Sequence, residues 1–101
     1  MRISIGTRKV VMSRALQAFI RGQLAERLRR FAAVILAAQV ELSDRNGRRG
    51  GGDKRCRILL TLATGGRIVR DDIRANLRTA FRCAMSRAEC AVHRQLRCSP
   101  A

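Results

Sequence analysis

The sequence predicts an α+β domain of order β-α-β-β-β-α, a four-stranded sheet with two helices packed on one face. Three observations carry this. Two segments place apolar residues at helical spacing, four others alternate or run apolar like strands, and a glycine-rich stretch separates two of the strands. A chain of 101 residues matches one domain, so residues 1–101 are expected to form a single unit.

The elements follow in order. Arg2-Ile3-Ser4-Ile5 alternates and meets Gly6, which predicts a short first strand. Ser13 is placed to cap a helix running to about Phe31, with Leu16, Phe19, Ile20, Leu24, Leu28 and Phe31 on one face. Arg14, Arg21 and Arg29 point away from that face, and Arg27 snorkels at its edge. From Ile35 to Ser43, Ala38, Val40 and Leu42 alternate with Gln39 and Glu41. Residues 44–53 form the one clear loop, with Asn46-Gly47 and Gly50-Gly51-Gly52 supplying positive φ. The third strand runs from Lys54 to about Ala63. Cys56, Ile58, Leu60 and Leu62 share one face, and Arg55, Arg57, Leu59 and Thr61 the other. Gly65-Gly66 predicts a two-residue hairpin turn into a fourth strand, Arg67 to Arg70. Asp71-Asp72 then opens the second helix, with Asp72 as N-cap and both carboxylates at the positive end of the helix dipole. Ile73, Leu77, Ala80, Phe81, Ala84, Ala88 and Ala91 line its buried face. Ser99-Pro100-Ala101 ends the chain with no further domain expected.

Apolar residues make up 47% of the chain; Trp and Tyr are absent and Phe occurs three times. The core must therefore be aliphatic. The charge is lopsided, with 22 basic residues against 7 acidic ones, net +15. Only Lys9 and Lys54 are lysines, and the other basic residues are arginines. Such a molecule repels its own copies and is drawn to polyanions, and the planar arginine fork grips a phosphate with two hydrogen bonds. Nucleic acid is the leading polyanion and an anionic membrane surface the second. No run of 18 apolar residues is present to span a bilayer, and Met1 to Gly6 lacks the features of a secretory signal, so the cytoplasm is the expected location.

Enzymatic chemistry finds no support. The only histidine, His93, has no nucleophile beside it in sequence. Gly50-Gly51-Gly52 leads into a strand and no Gly-Lys-Ser/Thr follows, which argues against a nucleotide-cradling loop. Cys56, Cys83, Cys90 and Cys98 contain no C-x-x-C pair, so no zinc ribbon is expected and all four should be reduced thiols. No cofactor, metal, small-molecule substrate or membrane partner is expected.

Three basic clusters remain. Arg74, Arg78 and Arg82 repeat every four residues along the second helix, with no acid at i±4. Arg45, Arg48 and Arg49 sit in the loop, and Lys54, Arg55 and Arg57 continue into the third strand. Arg14, Arg21 and Arg29 form the third cluster. Charge runs are usually solvated faces, but few acids are available here to neutralise them. With Phe19, Phe31 and Phe81 all at core positions, base stacking is not provided for. Structured RNA gripped by shape and phosphate fits better than a single strand.

The order of elements, the basic helices and the size resemble the ribosome hibernation-promoting factor and ribosome-associated translation inhibitor family. Leu42-Ser43-Asp44-Arg45-Asn46-Gly47, then Gly50-Gly51, then Asp53-Lys54-Arg55-Cys56, is similar to the signature L-S-D-x-N-G…G-G-x-D-K-R-C of a short subgroup of that family. The resemblance implies binding to the small ribosomal subunit between head and body, in the path of messenger and transfer RNA. It implies rRNA contacts by basic residues of the helices and sheet edge, here Lys54, Arg55, Arg74, Arg78 and Arg82. The chain departs from better-known members in having Arg74 where an aromatic residue often stands, and in lacking the dimerisation domain of long forms. Off the ribosome it is expected to be a monomer. Two other readings stay open: a general double-stranded RNA-binding module, and a redox-responsive regulator using the cysteines.

Overall fold

The computed structural model describes residues 1–44 and 54–98. Strand β1 (Arg2–Arg8) leads to helix α1 (Arg14–Arg27) and a short 3₁₀ turn (Arg29–Phe31). Strands β2 (Ile35–Asp44), β3 (Lys54–Leu62) and β4 (Arg67–Arg74) follow, and helix α2 (Leu77–Cys98) completes the order. This is the expected β-α-β-β-β-α arrangement. The sheet runs β1-β2-β3-β4, with β1 parallel to β2 and the other two pairings antiparallel.

Burial explains each element. Ala38, Val40 and Leu42 of β2 and Cys56, Ile58, Leu60 and Leu62 of β3 all point to one side and are buried. Ile68 of β4 joins them. Leu16, Ile20 and Leu24 of α1 and Ala80, Phe81, Ala84, Met85, Ala88 and Val92 of α2 close the same core. Helix α2 lies over β3 and β4 and touches α1 alongside it. Among the described residues, neither helix lies on the reverse side of the sheet.

Ser13 caps α1 as expected, its hydroxyl accepting from the Leu16 amide at 3.0 Å. The helix ends sooner than its periodicity predicts. After Leu28 the chain tightens, with Phe31 N bonded to Leu28 O and Ala32 N to Arg29 O. A three-residue turn brings residues i and i+3 into line, so Leu28 and Phe31 both reach the core. In β2 the register shifts between Ile35 and Ala37, which leaves Leu36 as an exposed bulge residue.

Two expectations are corrected. The β3–β4 hairpin is not a two-residue Gly65-Gly66 turn. Leu62 N bonds Gly66 O and Gly65 N bonds Leu62 O, which encloses the three residues Ala63, Thr64 and Gly65. Gly65 takes φ +100°, a conformation that side-chain-bearing residues rarely adopt. Second, Asp71 and Asp72 do not open α2. Strand β4 continues to Arg74, because β3 offers it ladder partners as far as Lys54. The helix begins at Leu77, where the Asn76 side-chain carbonyl accepts from Arg78 N at 2.8 Å and Thr79 N at 3.4 Å. Ile73, expected on the buried helix face, lies on β4 and is 39% exposed.

Candidate nucleic-acid interface

The fold distributes the basic residues over two sides of the molecule. Strand alternation and register place Arg55 and Arg57 on the open side of the sheet. There Arg57 stands in register between Glu41 and Asp71, and Arg55 is ion-paired to Asp71 at 2.5 Å. The helix side carries Arg14 and Arg21 on exposed positions of α1, Arg29 on the following turn, and Arg78 and Arg82 on α2. The Arg78 guanidinium stacks 4.6 Å above the Phe19 ring, which itself meets Phe81 edge-on at 6.0 Å. That contact fixes the start of the stripe while leaving its donors at the surface.

Arg74 does not belong to the helical stripe. It sits on β4, where its Nε donates to Asp72 Oδ1 at 3.1 Å. Lys54 is paired with Asp44 at 2.5 Å. Acids therefore neutralise more of the predicted set than the sequence spacing suggests. Neighbouring strands supply them for Lys54 and Arg55, and Asp72, two residues back on the same strand, for Arg74. Arg45, Arg48 and Arg49 lie outside the described residues. Among the described members of the set, Arg14, Arg21, Arg29, Arg57, Arg78 and Arg82 make no ion pair within 4.0 Å.

Between α1 and α2 an open groove of about 740 Å³ is lined by Arg27, Arg30, Ser86, Glu89, Cys90, His93 and Arg94. Arg27 is half-buried, as its edge position foretold. It is bound to Glu89 and donates to the Ser86 hydroxyl at 3.0 Å. Glu89 also faces Arg30 at 3.9 Å, so one carboxylate serves two of the three arginines that line this groove.

The side of α2 toward β4 adjoins this groove through Ser86, Cys90 and Arg94, and sequence reasoning did not single it out. Two depressions run between α2 and β4. One of about 360 Å³ is lined by Arg70, Ser86, Arg87, Cys90, Ala91 and Arg94. The next, about 260 Å³, is lined by Arg67, Ile68, Arg70, Ala91, Arg94 and Gln95. The signal in the sequence was the seven-residue spacing of Arg87 and Arg94, two turns of one helix face; their meeting with Arg70 depends on tertiary packing.

Asp72 sits beneath this flank with its side chain only 10% exposed. It accepts from Ile73 N, Arg74 Nε and Arg74 Nη2, and lies 3.7 Å from Arg87 Nε. Loss of hydration would raise its pKa, but the Arg74 and Ile73 hydrogen bonds and the charges of Arg74 and Arg87 outweigh this and hold it below the usual carboxylate value. Under the sheet, burial, with help from Asp71 and Asp72, pushes the Cys56 thiol up to about 12. Cys56, Cys83 and Cys90 are free thiols. No group of three or more His, Cys, Asp or Glu placed to hold a metal exists among the described residues. No helix among them is long and apolar enough to cross a membrane.

Fold and surface together define a small α+β domain whose helix layer presents arginines and whose grooves offer no catalytic pairing. Its sequence matches the model of the sigma 54 modulation protein / S30EA ribosomal protein family over residues 3–97, and the chain belongs to that family. It is a ribosome-associated factor of a non-enzymatic kind. Two solved structures share the fold. The N-terminal domain of Protein Y from Thermus thermophilus superposes with TM-score 0.77 at 24% identity, over 93% of this chain and 98% of that one. A ribosomal subunit interface protein from Coxiella burnetii superposes with TM-score 0.76 at 15% identity, over 93% and 96%. No curated protein sequence is a significant match.

Proposed function

We propose that this protein binds rRNA of the small ribosomal subunit, at the subunit interface, and blocks the path of messenger and transfer RNA by occupying it. In this reading it is a cytoplasmic hibernation or translation-inhibition factor, monomeric off the ribosome. The observation that carries the proposal is the arginine-rich helix layer in a member of a ribosome-associated family. The name of the Coxiella burnetii neighbour supports the subunit interface as the location. The mechanism asks nothing of the protein beyond shape and charge. Arginine forks neutralise rRNA phosphates, and the rigid α+β body excludes other ligands from the volume it fills.

The residues assigned to rRNA contact are Arg14, Arg21, Arg29, Arg78 and Arg82 of the helix layer, with Arg45, Arg48 and Arg49 of the segment between β2 and β3. Lys54, Arg55, Arg57 and Arg74 stand at the sheet end of the same set, three of them through ion pairs that an rRNA phosphate would have to share or displace. Co-sedimentation with purified small subunits at low salt tests the proposal, with transfer RNA added as competitor. The protein is expected to pellet with small subunits and to be displaced by transfer RNA in a saturable way. Equal affinity for plain duplex RNA and for ribosomes would replace this reading by a general duplex-binding one.

A further inference from the structure

We infer that the groove between β4 and α2 is a phosphate-binding site, built from Arg67, Arg70, Arg87 and Arg94, which takes successive phosphates of an RNA strand. The inference deepens the proposed ribosome binding and rests on it for the identity of the polymer. The helix stripe of Arg78 and Arg82 does not line this groove.

Three observations carry it. First, the four arginines converge from two elements, Arg67 and Arg70 from β4 and Arg87 and Arg94 from α2, that only tertiary packing brings together. Arg70 lines both depressions with Arg94, Arg87 lies at one end and Arg67 at the other. Along the groove, Arg70 of the strand and Arg94 of the helix share the middle, between Arg87 and Arg67. Arg87 to Arg94 spans roughly 10 Å of helix at ~1.5 Å per residue. That span exceeds the ~3.4 Å axial rise per nucleotide, so the helix wall is long enough to meet more than one phosphate. On β4, Arg70 shares the helix-facing side with buried Ile68, whereas Arg67 alternates to the open side, where it also lines a depression with Glu41, and reaches the groove from its rim.

Second, no acid lines either depression. The groove between α1 and α2, by contrast, contains Glu89 bound to its own arginines. Asp72 is nearby but shielded, and it touches Arg87 from beneath. Third, two of the forks are oriented before any ligand arrives. Arg70 Nη1 donates to the Val69 carbonyl at 2.7 Å, and Arg87 turns its Nε toward Asp72 at 3.7 Å. In both, the remaining N–H groups stay available, and Arg87 is 61% exposed. A guanidinium held in place loses less freedom on binding a phosphate than a solvated one.

The test uses the full chain with ¹⁵N-labelled arginine, a short RNA hairpin, inorganic pyrophosphate and purified small subunits. In titration with the hairpin, the Nε–H signals of Arg70, Arg87 and Arg94 are expected to move and saturate together, ahead of those of Arg2 and Arg8 on the far strand. In parallel, R70Q/R87Q/R94Q is compared with the parent for small-subunit binding across salt concentrations. Its log–log salt slope is expected to fall by about 2 to 3, each lost contact removing about 3-fold of the change between 50 and 200 mM. Groove signals that move no more than those of Arg2 and Arg8, or an unchanged slope, would overturn the inference. Saturation by pyrophosphate at lower concentration than the hairpin would make this a free-anion site and overturn the RNA assignment. If the parent pellets with small subunits while the groove signals stay still, this site is refuted and the proposed function stands. If the groove signals respond to the hairpin but nothing pellets, the site stands and the ribosomal reading falls.

Discussion

At Asp72 an acid that looks like a helix cap serves as an anchor between a strand and a helix. Its neighbours in sequence suggest the dipole of a following helix; its neighbours in space are Arg74 and Arg87. Because its carboxyl is held below the usual value of ~3.9, its contribution to stability is present above that value and is lost as pH falls through the lowered one. Denaturant unfolding of the parent and of Asp72→Asn should therefore differ at pH 7, and the gap should start to narrow only below about 4 and keep narrowing as the pH falls further. A gap of the same size at every pH below about 4 would contradict the ion-pair role. Cys56 shows the opposite sign. Its thiol is raised to about 12, so the stabilisation is complete below the ordinary value of 9.0 and erodes as pH climbs above it. In peptide-mapped alkylation of the native protein at pH 8, exposed Cys90 should react and Cys56 should not until the chain unfolds. Comparable native rates for both would refute the buried placement.

Among the elements, those defined by their own periodicity were legible and those defined by a partner were not. Helix α1, β2 and β3 announced themselves through Leu16, Ile20 and Leu24, through Ala38, Val40 and Leu42, and through Cys56, Ile58 and Leu60. The end of β4 did not, because Arg70, Asp71, Asp72 and Arg74 are held in a strand by their register with β3, a long-range pairing. Helix rules favour Asp at an N-cap, and here Asn76 takes that position four residues later. Asn76→Ala should accordingly cost about 0.5–2 kcal/mol in thermal or denaturant unfolding. An unchanged midpoint would show that the cap lies elsewhere. The interface has the same history. Arg78 and Arg82 could be picked out by their four-residue spacing, whereas the Arg67–Arg70–Arg87–Arg94 groove exists only once α2 lies across β4.

The whole molecule is an aliphatic core one layer deep, with a sheet on one side and arginine-bearing helices on the other. Phe81, fully buried and in edge contact with Phe19, joins the two helices to that core. Phe81→Ala should cost about 3–5 kcal/mol, a large share of the ~5–15 kcal/mol that holds a domain together, and would be read as a drop in the unfolding midpoint. The charge has the reverse effect: net +15 strains the free protein and is relieved on a polyanion. If binding proceeds by releasing counterions from about six to ten phosphates, affinity for small subunits should fall roughly 10³–10⁵-fold between 50 and 200 mM salt, on a scale set by DNA. Pelleting of the protein with small subunits across that salt range is the most direct measurement. A steep linear fall in log affinity against log salt is the expected result; no pelleting at 50 mM, or binding that ignores salt, would contradict a phosphate-directed ribosome factor.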